Sequence, residues 1–237
     1  MRQILRIFFF AIILLHSSIC QALDVIAHIP ETPKKALIML HGWHHDGAGV
    51  QWLTNVLKND FPDMAFYYPT APDNAPSGGY QWFEIPTLGS SMSQEKMYDI
   101  MMHSALGNLE NLYNLIDNIH ETQQIEYENI YIAGFSQGGF MAILTGLTNN
   151  KPIGKVISFS GVPILLTKDF KKTDVVSSPE IIIIQGDSDY VIPNDSYNLT
   201  RNTLNSLNIK SSLKVIKNMP HTINNEALNY AIEFMKN

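Results

Sequence analysis

The stretch NIYIAGFSQGG, residues 129–139, decides how this chain folds. Its first part, Asn129–Ala133, has the composition of a strand, and Met141–Leu147 beyond it is apolar and continues as a helix. Between them, the G-x-S-x-G pattern at 134–138 is typical of a sharp strand-to-helix turn that presents a nucleophilic serine. The sequence therefore predicts Ser136 as a nucleophile on a strained backbone. A glycine-rich turn with a capping serine is the alternative.

Strands and helices alternate on both sides of this turn. Four consecutive isoleucines, Ile181–Ile184, are expected of a strand that is buried on both faces of a parallel sheet. The alternation predicts a mostly parallel sheet with helices on both faces, in which ligands bind at the carboxyl ends of the strands. Together with the G-x-S-x-G turn between a strand and a helix, it predicts the α/β-hydrolase class. The other predicted strands are Ala36–Leu40, Ala65–Tyr68, Lys155–Phe159 and Leu213–Ile216, the other predicted helices are Val50–Leu57, Ser93–Ile119, Asn194–Leu207 and Asn224–Met235, and Pro69–Gly79 is predicted to be a loop.

A nucleophilic serine needs a base, and this class orders its catalytic residues as serine, acid, histidine. Of the 8 histidines only His221 follows Ser136, so chain order alone nominates it. Of the acidic residues between them, only Asp187 and Asp189 directly follow the isoleucine strand. We expect Asp187 to accept backbone N–H groups in the turn, and Asp189 to orient the imidazole of His221. The remaining candidates are Asp169, Asp174, Glu180 and Asp195.

The oxyanion that forms during acyl transfer needs two N–H donors. We expect one from the backbone of Gln137, the residue after the nucleophile. The other should be the backbone of Trp43, in the loop after the first long predicted strand. A metal site is the alternative interpretation of that loop, but a glycine-flanked oxyanion loop explains it more simply, so neither a metal nor another cofactor is predicted. The residues that suggest a metal are His41, His44, His45 and Asp46.

An aromatic-rich stretch, Tyr80–Phe83, follows the predicted loop. Trp82 and Phe83 are candidates to line a pocket for the acyl chain of a substrate. They are equally compatible with packing under the long loop. The sequence leaves both interpretations open.

The first 22 residues have the pattern of a secretory signal peptide. Arg2 and Arg6 precede an unbroken apolar run, Ile7–Leu15, and small and polar residues then lead to a cleavage site after Ala22. The apolar run is shorter than the roughly 20 residues that a membrane-spanning helix requires. We therefore expect an exported protein, periplasmic or secreted, without stable membrane insertion. An uncleaved N-terminal anchor, a hydrophobic start without a targeting role and a lipoprotein modified at Cys20 are the alternatives.

Composition limits the other functions. The chain has 237 residues, 45% of them hydrophobic, which suits one globular domain over residues 23–237. Its formal net charge of -6 argues against a nucleic-acid partner, which would favour a basic face. Cys20 is the only cysteine, so cleavage after Ala22 would leave none for disulfides, thiol catalysis or a cysteine-based metal site.

These motifs together resemble the phospholipase/carboxylesterase family, which includes the acyl-protein thioesterases. The similarity runs in order from about residue 36 to residue 221: L-H-G at 40–42, P-T-A-P at 69–72, W-F-E-I at 82–85, G-F-S-Q-G-G at 134–139, G-D-S-D at 186–189, then His221. The resemblance implies a triad of Ser136, Asp189 and His221, because the second aspartate of the G-D-x-D motif is the family's acid. It also supports the backbones of Trp43 and Gln137 as oxyanion donors.

The chain departs from the family pattern around the predicted site. Gln185 stands where the family usually has histidine, Tyr190 where it has proline, and Glu84 where it has aspartate. The segment W-H-H-D at 43–46 replaces the family's L-G-D. No member of the implied triad is lost, so these differences affect the rim of the pocket and hence the substrate.

We therefore predict a serine hydrolase that cleaves carboxylic esters through an acyl-enzyme. Its expected partner is a small-molecule or lipid ester, either a short- or medium-chain acyl ester or a lysophospholipid. The predicted export argues against carrying over protein depalmitoylation from the cytosolic thioesterases. The alternatives are a serine peptidase or other hydrolase on the same fold, and a catalytically silent binding protein. The oligomeric state does not follow from the sequence.

Overall fold

The structure is a computed structural model that describes residues 23–86, 92–192 and 195–237. The predicted signal peptide, residues 1–22, lies outside the described residues. So does Asn194, the predicted first residue of a helix.

Seven of the strands form one sheet. In chain order the strands are β1 (Val25–His28), β2 (Lys35–Leu40), β3 (Met64–Pro69), β4 (Asp73–Asn74), β5 (Tyr80–Gln81), β6 (Ile130–Phe135), β7 (Lys155–Phe159), β8 (Glu180–Gly186) and β9 (Ser211–Ile216). The order across the sheet is β1-β3-β2-β6-β7-β8-β9. Only β1 runs antiparallel to its neighbour within this sheet. The mostly parallel sheet that the sequence predicts is confirmed.

Helices pack on both faces of this sheet. One apolar cluster joins α2, α3, α4 and α5 to one face, and a second joins α1 and α6 to the other. The isoleucines of β8 alternate between the clusters, Ile181 and Ile183 on one side and Ile182 and Ile184 on the other, as a strand buried on both faces requires. The helices are α1 (Leu53–Leu57), α2 (Gln94–Gly107), α3 (Leu109–Gln123), α4 (Gln137–Thr148), α5 (Ser196–Ser206) and α6 (Asn225–Lys236).

The predicted helix Ser93–Ile119 is wrong in one respect: it is two helices, α2 and α3, which meet at Asn108. The side-chain amide of Asn108 donates to the carbonyl oxygen of Trp82 and to Oδ2 of Asp73, each at 2.8 Å. These contacts tie the junction to a distant segment of the chain. Apolar spacing continues through the junction, so periodicity alone does not reveal it.

Two short features are also absent from the sequence prediction. β1 is a half-exposed edge strand, so it lacks the continuous apolar run that marks β2 and β8. The predicted loop Pro69–Gly79 contains β4, which pairs antiparallel with β5 in a separate two-stranded ribbon. No helix within the described ranges is long and apolar enough to cross a membrane.

The topology sets the location of the functional groups. Because β2, β6, β7, β8 and β9 are parallel, the residues that follow them emerge at one edge of the sheet. The segments after these strands contain His41, Ser136, Ser160, Asp189 and His221.

Candidate active site

Ser136 occupies the turn between β6 and α4. Its backbone has φ 55° and ψ -115°, a conformation that residues other than glycine seldom adopt. Neighbouring peptide groups hold it there: the Ser136 N–H donates to the Phe159 carbonyl at 2.9 Å, and the Ser136 carbonyl accepts the N–H of Val162 at 3.2 Å. The structure thus contains the strained serine that the sequence predicts, at the N-cap of α4.

The glycines of this turn have a steric reason. A Cβ on Gly134 would overlap the carbonyl oxygen of Gly138, and a Cβ on Gly138 would overlap the carbonyl oxygen of Leu40 at the end of β2. Backbone therefore packs directly on backbone at both positions. This close approach brings the N-terminus of α4 against the loop that follows β2.

His221 and Asp189 are hydrogen-bonded to each other. Nδ1 of the imidazole lies 2.7 Å from Oδ2 of Asp189. Because an ionised carboxylate only accepts, Nδ1 carries a proton, and in the neutral ring Nε2 is then the acceptor. This is the tautomer that a general base for a serine hydroxyl requires.

The carboxylate of Asp189 is buried and held by four donors. Oδ2 also accepts from Nε2 of Gln185 at 2.9 Å, and Oδ1 accepts the backbone N–H groups of Val191 and Ile192, each at 2.9 Å. These bonds leave Asp189 one orientation, with Oδ2 toward His221. Sequence reasoning did not assign a role to Gln185; its place immediately before the G-D-x-D motif was the available signal.

Asp187 accepts a backbone N–H group, as the sequence predicts, but the donor belongs to the loop after β9 and not to its own turn. Its Oδ1 accepts the backbone N–H of Asn218 at 2.6 Å and the hydroxyl of Ser188 at 3.0 Å. Asp187 therefore joins the loop after β8 to the loop after β9. That link holds together the two segments that carry Asp189 and His221.

A cleft of about 190 Å³ opens at this edge of the sheet, beside His221. The ring of Phe135 lies 4.7 Å from the ring of His221, centroid to centroid. Since Phe135 immediately precedes Ser136, this contact places the histidine loop against the serine turn. No hydrogen bond within the described residues joins Ser136 to His221. The cleft is lined by Gly42, His45, Gly49, Val50, Trp52, Phe135, His221, Thr222 and Ile223.

The two predicted oxyanion donors both lie close to Ser136 in the fold. Gln137 is the first residue of α4, where backbone N–H groups have no acceptor inside the helix. The loop that carries Trp43 packs against the serine, since a Cβ on Gly42 would lie 3.5 Å from the Cβ of Ser136. The N–H of Trp43 makes no hydrogen bond to any described residue.

The histidines of this loop point to separate partners. His41 is fully buried: Nε2 accepts the N–H of Ala71 at 2.9 Å and Nδ1 lies 2.7 Å from the Gly42 carbonyl oxygen. Burial lowers the pKa of His41 to about 4. His44 bonds to Ser77 and Gly78, while His45 lines the cleft. In the described part of the chain, no group of three or more histidine, cysteine or acidic side chains could hold a metal ion.

Trp82 and Phe83 are both 0% exposed, and neither lines the cleft. The indole Nε1 of Trp82 donates to the carbonyl oxygen of His41 at 3.0 Å, and Phe83 packs against Phe140 of α4 with ring centroids 4.8 Å apart. The sequence leaves two interpretations open for this pair, an acyl-pocket wall and core packing. These contacts are typical of core packing. A tryptophan with a buried, paired indole N–H belongs to the scaffold that surrounds the site.

The strand order, the strained serine after β6 and the convergence of groups at one sheet edge define an α/β-hydrolase. The model of one protein family, described as phospholipase/carboxylesterase, matches residues 22–237 of this chain. The chain belongs to that family of ester hydrolases, as its motifs predict.

Relatives and solved structures agree with this assignment. A probable carboxylesterase SOBER1-like protein of Arabidopsis thaliana is 26% identical over 97% of this chain and 88% of its own length. Acyl-protein thioesterase 1 of Eremothecium gossypii is 27% identical over 89% of this chain and 91% of its own length. The crystal structure of esterase PE8 has a TM-score of 0.78 at 25% identity, covering 91% of this chain and 97% of that one.

Proposed function

We propose that the protein is a serine hydrolase that cleaves carboxylic esters through an acyl-enzyme, with Ser136, His221 and Asp189 as its catalytic triad. The observation that carries the proposal is the 2.7 Å hydrogen bond between Nδ1 of His221 and Oδ2 of Asp189. It sets the histidine tautomer in a ring that lines the cleft beside the serine turn.

In the proposed reaction, His221 Nε2 takes the proton of Ser136 as the hydroxyl oxygen attacks the acyl carbon. The backbone N–H groups of Trp43 and Gln137 hold the oxyanion. The ester C–O bond then breaks, and His221 returns the proton to the leaving alcohol. Water repeats the sequence on the acyl-enzyme and releases the carboxylic acid. The absence of a serine–histidine bond is compatible with this role, because catalytic hydrogen bonds often tighten only when substrate binds.

The cleft supports a substrate with a short or medium acyl chain. Its volume of about 190 Å³ is below the roughly 300–1,000 Å³ of pockets that hold drug-sized ligands. Val50, Trp52 and Ile223 provide apolar walls next to His221. Lysophospholipids are the second candidate class. Their polar head would have to remain outside the cleft.

The test is reaction with a fluorophosphonate probe, combined with hydrolysis of p-nitrophenyl esters of increasing chain length. We expect the wild type to be labelled on Ser136 and to prefer short or medium esters over lysophosphatidylcholine. Ser136→Ala should abolish labelling and lower kcat by about 10⁶. The control is Ser206→Ala, since Ser206 is exposed on α5 and its hydroxyl donates to the carbonyl of Thr203 in the same helix.

The alternatives predict other outcomes. A serine peptidase would be labelled but would cleave peptide amides faster than esters. A catalytically silent binding protein would not be labelled. Near-wild-type activity of Ser136→Ala would reject the triad.

We also propose that the protein is exported and acts in a periplasm or outside the cell. The basic residues Arg2 and Arg6 before the apolar run Ile7–Leu15 support this, and the family match begins only at residue 22. The test is N-terminal sequencing of the protein from extracytoplasmic fractions of the native host. A mature chain that starts at Leu23 is expected, and an intact Met1 on cytoplasmic protein would contradict export.

A further inference from the structure

A buried hydrogen-bond network connects the two predicted oxyanion donors through side chains that do not reach the cleft. Its members are His41, after β2, Trp82, after β5, and Gln137, at the start of α4. Each is buried, with at most 1% of its surface exposed. Resting on the function proposed above, we infer that His41, Trp82 and the side chain of Gln137 are positioning residues that hold the oxyanion hole in its working geometry.

The first link acts on the peptide unit that contains the Trp43 donor. Nε2 of His41 accepts the N–H of Ala71, so Nε2 has no proton and Nδ1 must carry the proton of the neutral ring. Nδ1 therefore donates to the carbonyl oxygen of Gly42 at 2.7 Å. The carbonyl of Gly42 and the N–H of Trp43 belong to the same planar peptide group, so fixing one end fixes the direction of the other.

This hydrogen bond also affects the strength of the donor. A peptide whose carbonyl accepts a hydrogen bond is polarised, and its N–H becomes a better donor. The neutral state of His41 is maintained because burial lowers its pKa to about 4. The Gly42 carbonyl also accepts the backbone N–H of His45 at 3.2 Å. The shorter bond from Nδ1 of His41 is the second donor to this carbonyl, and the two bonds together orient the peptide and polarise the Trp43 N–H.

The second link holds the other donor. The side chain of Gln137 bonds to two backbone groups of the same segment: Oε1 accepts the N–H of Trp82 at 2.8 Å, and Nε2 donates to the carbonyl of Phe83 at 2.7 Å. A donor on one side and an acceptor on the other define the orientation of the amide. Both bonds fix the first residue of α4, whose backbone N–H is the second predicted oxyanion donor.

Trp82 joins the two links. Its backbone N–H reaches Gln137, its indole Nε1 donates to the carbonyl of His41 at 3.0 Å, and its own carbonyl accepts from Asn108. The rings of Trp82 and His41 lie 5.3 Å apart, centroid to centroid. A displacement of this segment would therefore disturb both donors together. This explains why a fully buried tryptophan lies next to the site without lining the cleft.

Two substitutions of His41 separate positioning from packing. His41→Asn keeps an amide N–H near the place of Nδ1 and loses the acceptor for Ala71. His41→Gln keeps an acceptor near the place of Nε2 and loses the donor to Gly42. Each variant loses one buried hydrogen bond, so a purely structural role predicts similar losses of thermal stability and no difference in kcat between them.

If His41 positions the Trp43 N–H, kcat should fall in the variant that loses the donor to Gly42 and not in the variant that keeps it. Loss of a complete oxyanion donor lowers kcat by about 10²–10³. A donor that is present but poorly oriented should cost less, so we expect kcat of His41→Gln to fall by about tenfold to a hundredfold, with KM within about twofold of wild type. The affinity for a trifluoromethyl ketone, which forms an oxyanion on the serine, should fall by the same factor. His41→Asn should keep kcat within about threefold of the wild type.

Trp82→Phe provides a second test if the His41 variants do not fold. It removes the indole N–H together with the volume of one fused ring and keeps a single aromatic ring, and kcat should fall about tenfold with KM unchanged. Tyr113→Phe is the control, because it removes a side-chain hydrogen bond to Thr148 that lies outside the network. Its kcat should equal that of the wild type.

Equal kcat values for His41→Gln and His41→Asn, or unchanged kcat and ketone affinity in folded Trp82→Phe, would overturn the inference while the triad stands. Failure of the proposed function is distinguishable, because wild-type protein would then resist the fluorophosphonate probe. In that case the network would have no oxyanion donors to position, and both the proposed function and this inference would be wrong.

Discussion

The two halves of the candidate active site use histidine in opposite ways. On one side, His221 lines the cleft, its side chain is 17% exposed, and its Nδ1 bonds to the carboxylate of Asp189. On the other side, His41 is 0% exposed and bonds to the backbone groups of Ala71 and Gly42. We call the first the proton side and the second the oxyanion side.

The difference shows how the surroundings assign a role to the same side chain. A carboxylate partner and access to the cleft allow an imidazole to accept a proton during a reaction. Burial between two peptide groups keeps an imidazole neutral, and it then acts as a fixed dipole. A site that moves protons and also stabilises an oxyanion needs both environments. Three predictions test this division, and they are ordered by expected effect.

The largest effect is expected on the proton side, from Asp189→Asn. The Asn oxygen should keep the backbone N–H groups of Val191 and Ile192, which cannot become acceptors, so the Asn NH₂ takes the place of Oδ2. The NH₂ then faces His221, and the side-chain amide of Gln185 must rotate to present its oxygen. Nδ1 would then have to accept, and the proton would move to Nε2, the wrong tautomer for a base. We expect kcat to fall by about 10⁴ with the fold retained, as measured by ester hydrolysis and circular dichroism.

Asp187→Asn is the matched control for that variant. It changes the neighbouring aspartate in the same way but keeps an oxygen acceptor for the N–H of Asn218. Its kcat should stay within about threefold of wild type, since the amide oxygen keeps the link to Asn218 and the substitution leaves Asp189 in place. If the two variants lost activity equally, Asp189 would have no special role and the proton side would be wrongly assigned.

The second prediction concerns the oxyanion side and the pH dependence of stability. His41 has a pKa of about 4 in the folded protein, below the ordinary 6.5 that it regains on unfolding. Between these values the unfolded chain binds a proton that the folded protein does not, so acid lowers the free energy of unfolding. From pH 7.5 to pH 4.5 this group should remove about 2–3 kcal/mol.

The measurement is urea unfolding of the wild type and of His41→Gln at both pH values. Other titrating groups are common to the two proteins and largely cancel in the difference. The stability advantage of the wild type over the variant should shrink by about 2–3 kcal/mol at the lower pH. A constant difference would mean that His41 is not held neutral by burial, which would remove the contrast with His221.

The same contrast marks what the sequence could predict. The strained Ser136, the single histidine after it and the aspartates after the isoleucine strand depend on chain order and on steric limits within a few residues. The sequence predicts these features. It does not predict the role of His41 as a buried anchor, the hydrogen bonds of Gln137 to the Trp82 segment or the helix junction at Asn108. They arise from hydrogen bonds between residues 26 to 55 positions apart, which no local pattern records.

The aromatic pair is the clearest case. Trp82 and Phe83 fit an acyl-pocket wall and a core equally well by composition. Only the indole bond to the carbonyl of His41 and the packing of Phe83 on Phe140 separate the two. Hydrophobic sequence patterns predict that such residues are buried, and they do not predict what they are buried against.

The smallest expected effect comes from Gln185, which supports the proton side without touching the cleft. Its Nε2 donates to the same Oδ2 that receives His221 Nδ1–H. Gln185→Leu keeps the volume and removes this bond to a charged acceptor, so the carboxylate can turn away from the histidine. We expect kcat/KM to fall by about tenfold, equivalent to about 1.4 kcal/mol, with a small loss of stability.

Gln185→His is the matched variant, because an imidazole can restore the donor to Oδ2. The phospholipase/carboxylesterase family, which this chain resembles in its motifs, usually has histidine at this position. Its kcat/KM should stay within about threefold of wild type in the same ester assay. If the leucine and histidine variants had equal kcat/KM, the backbone N–H groups of Val191 and Ile192 would be enough to orient Asp189. Backbone groups would then hold the proton side, just as they hold the buried imidazole of His41 on the oxyanion side.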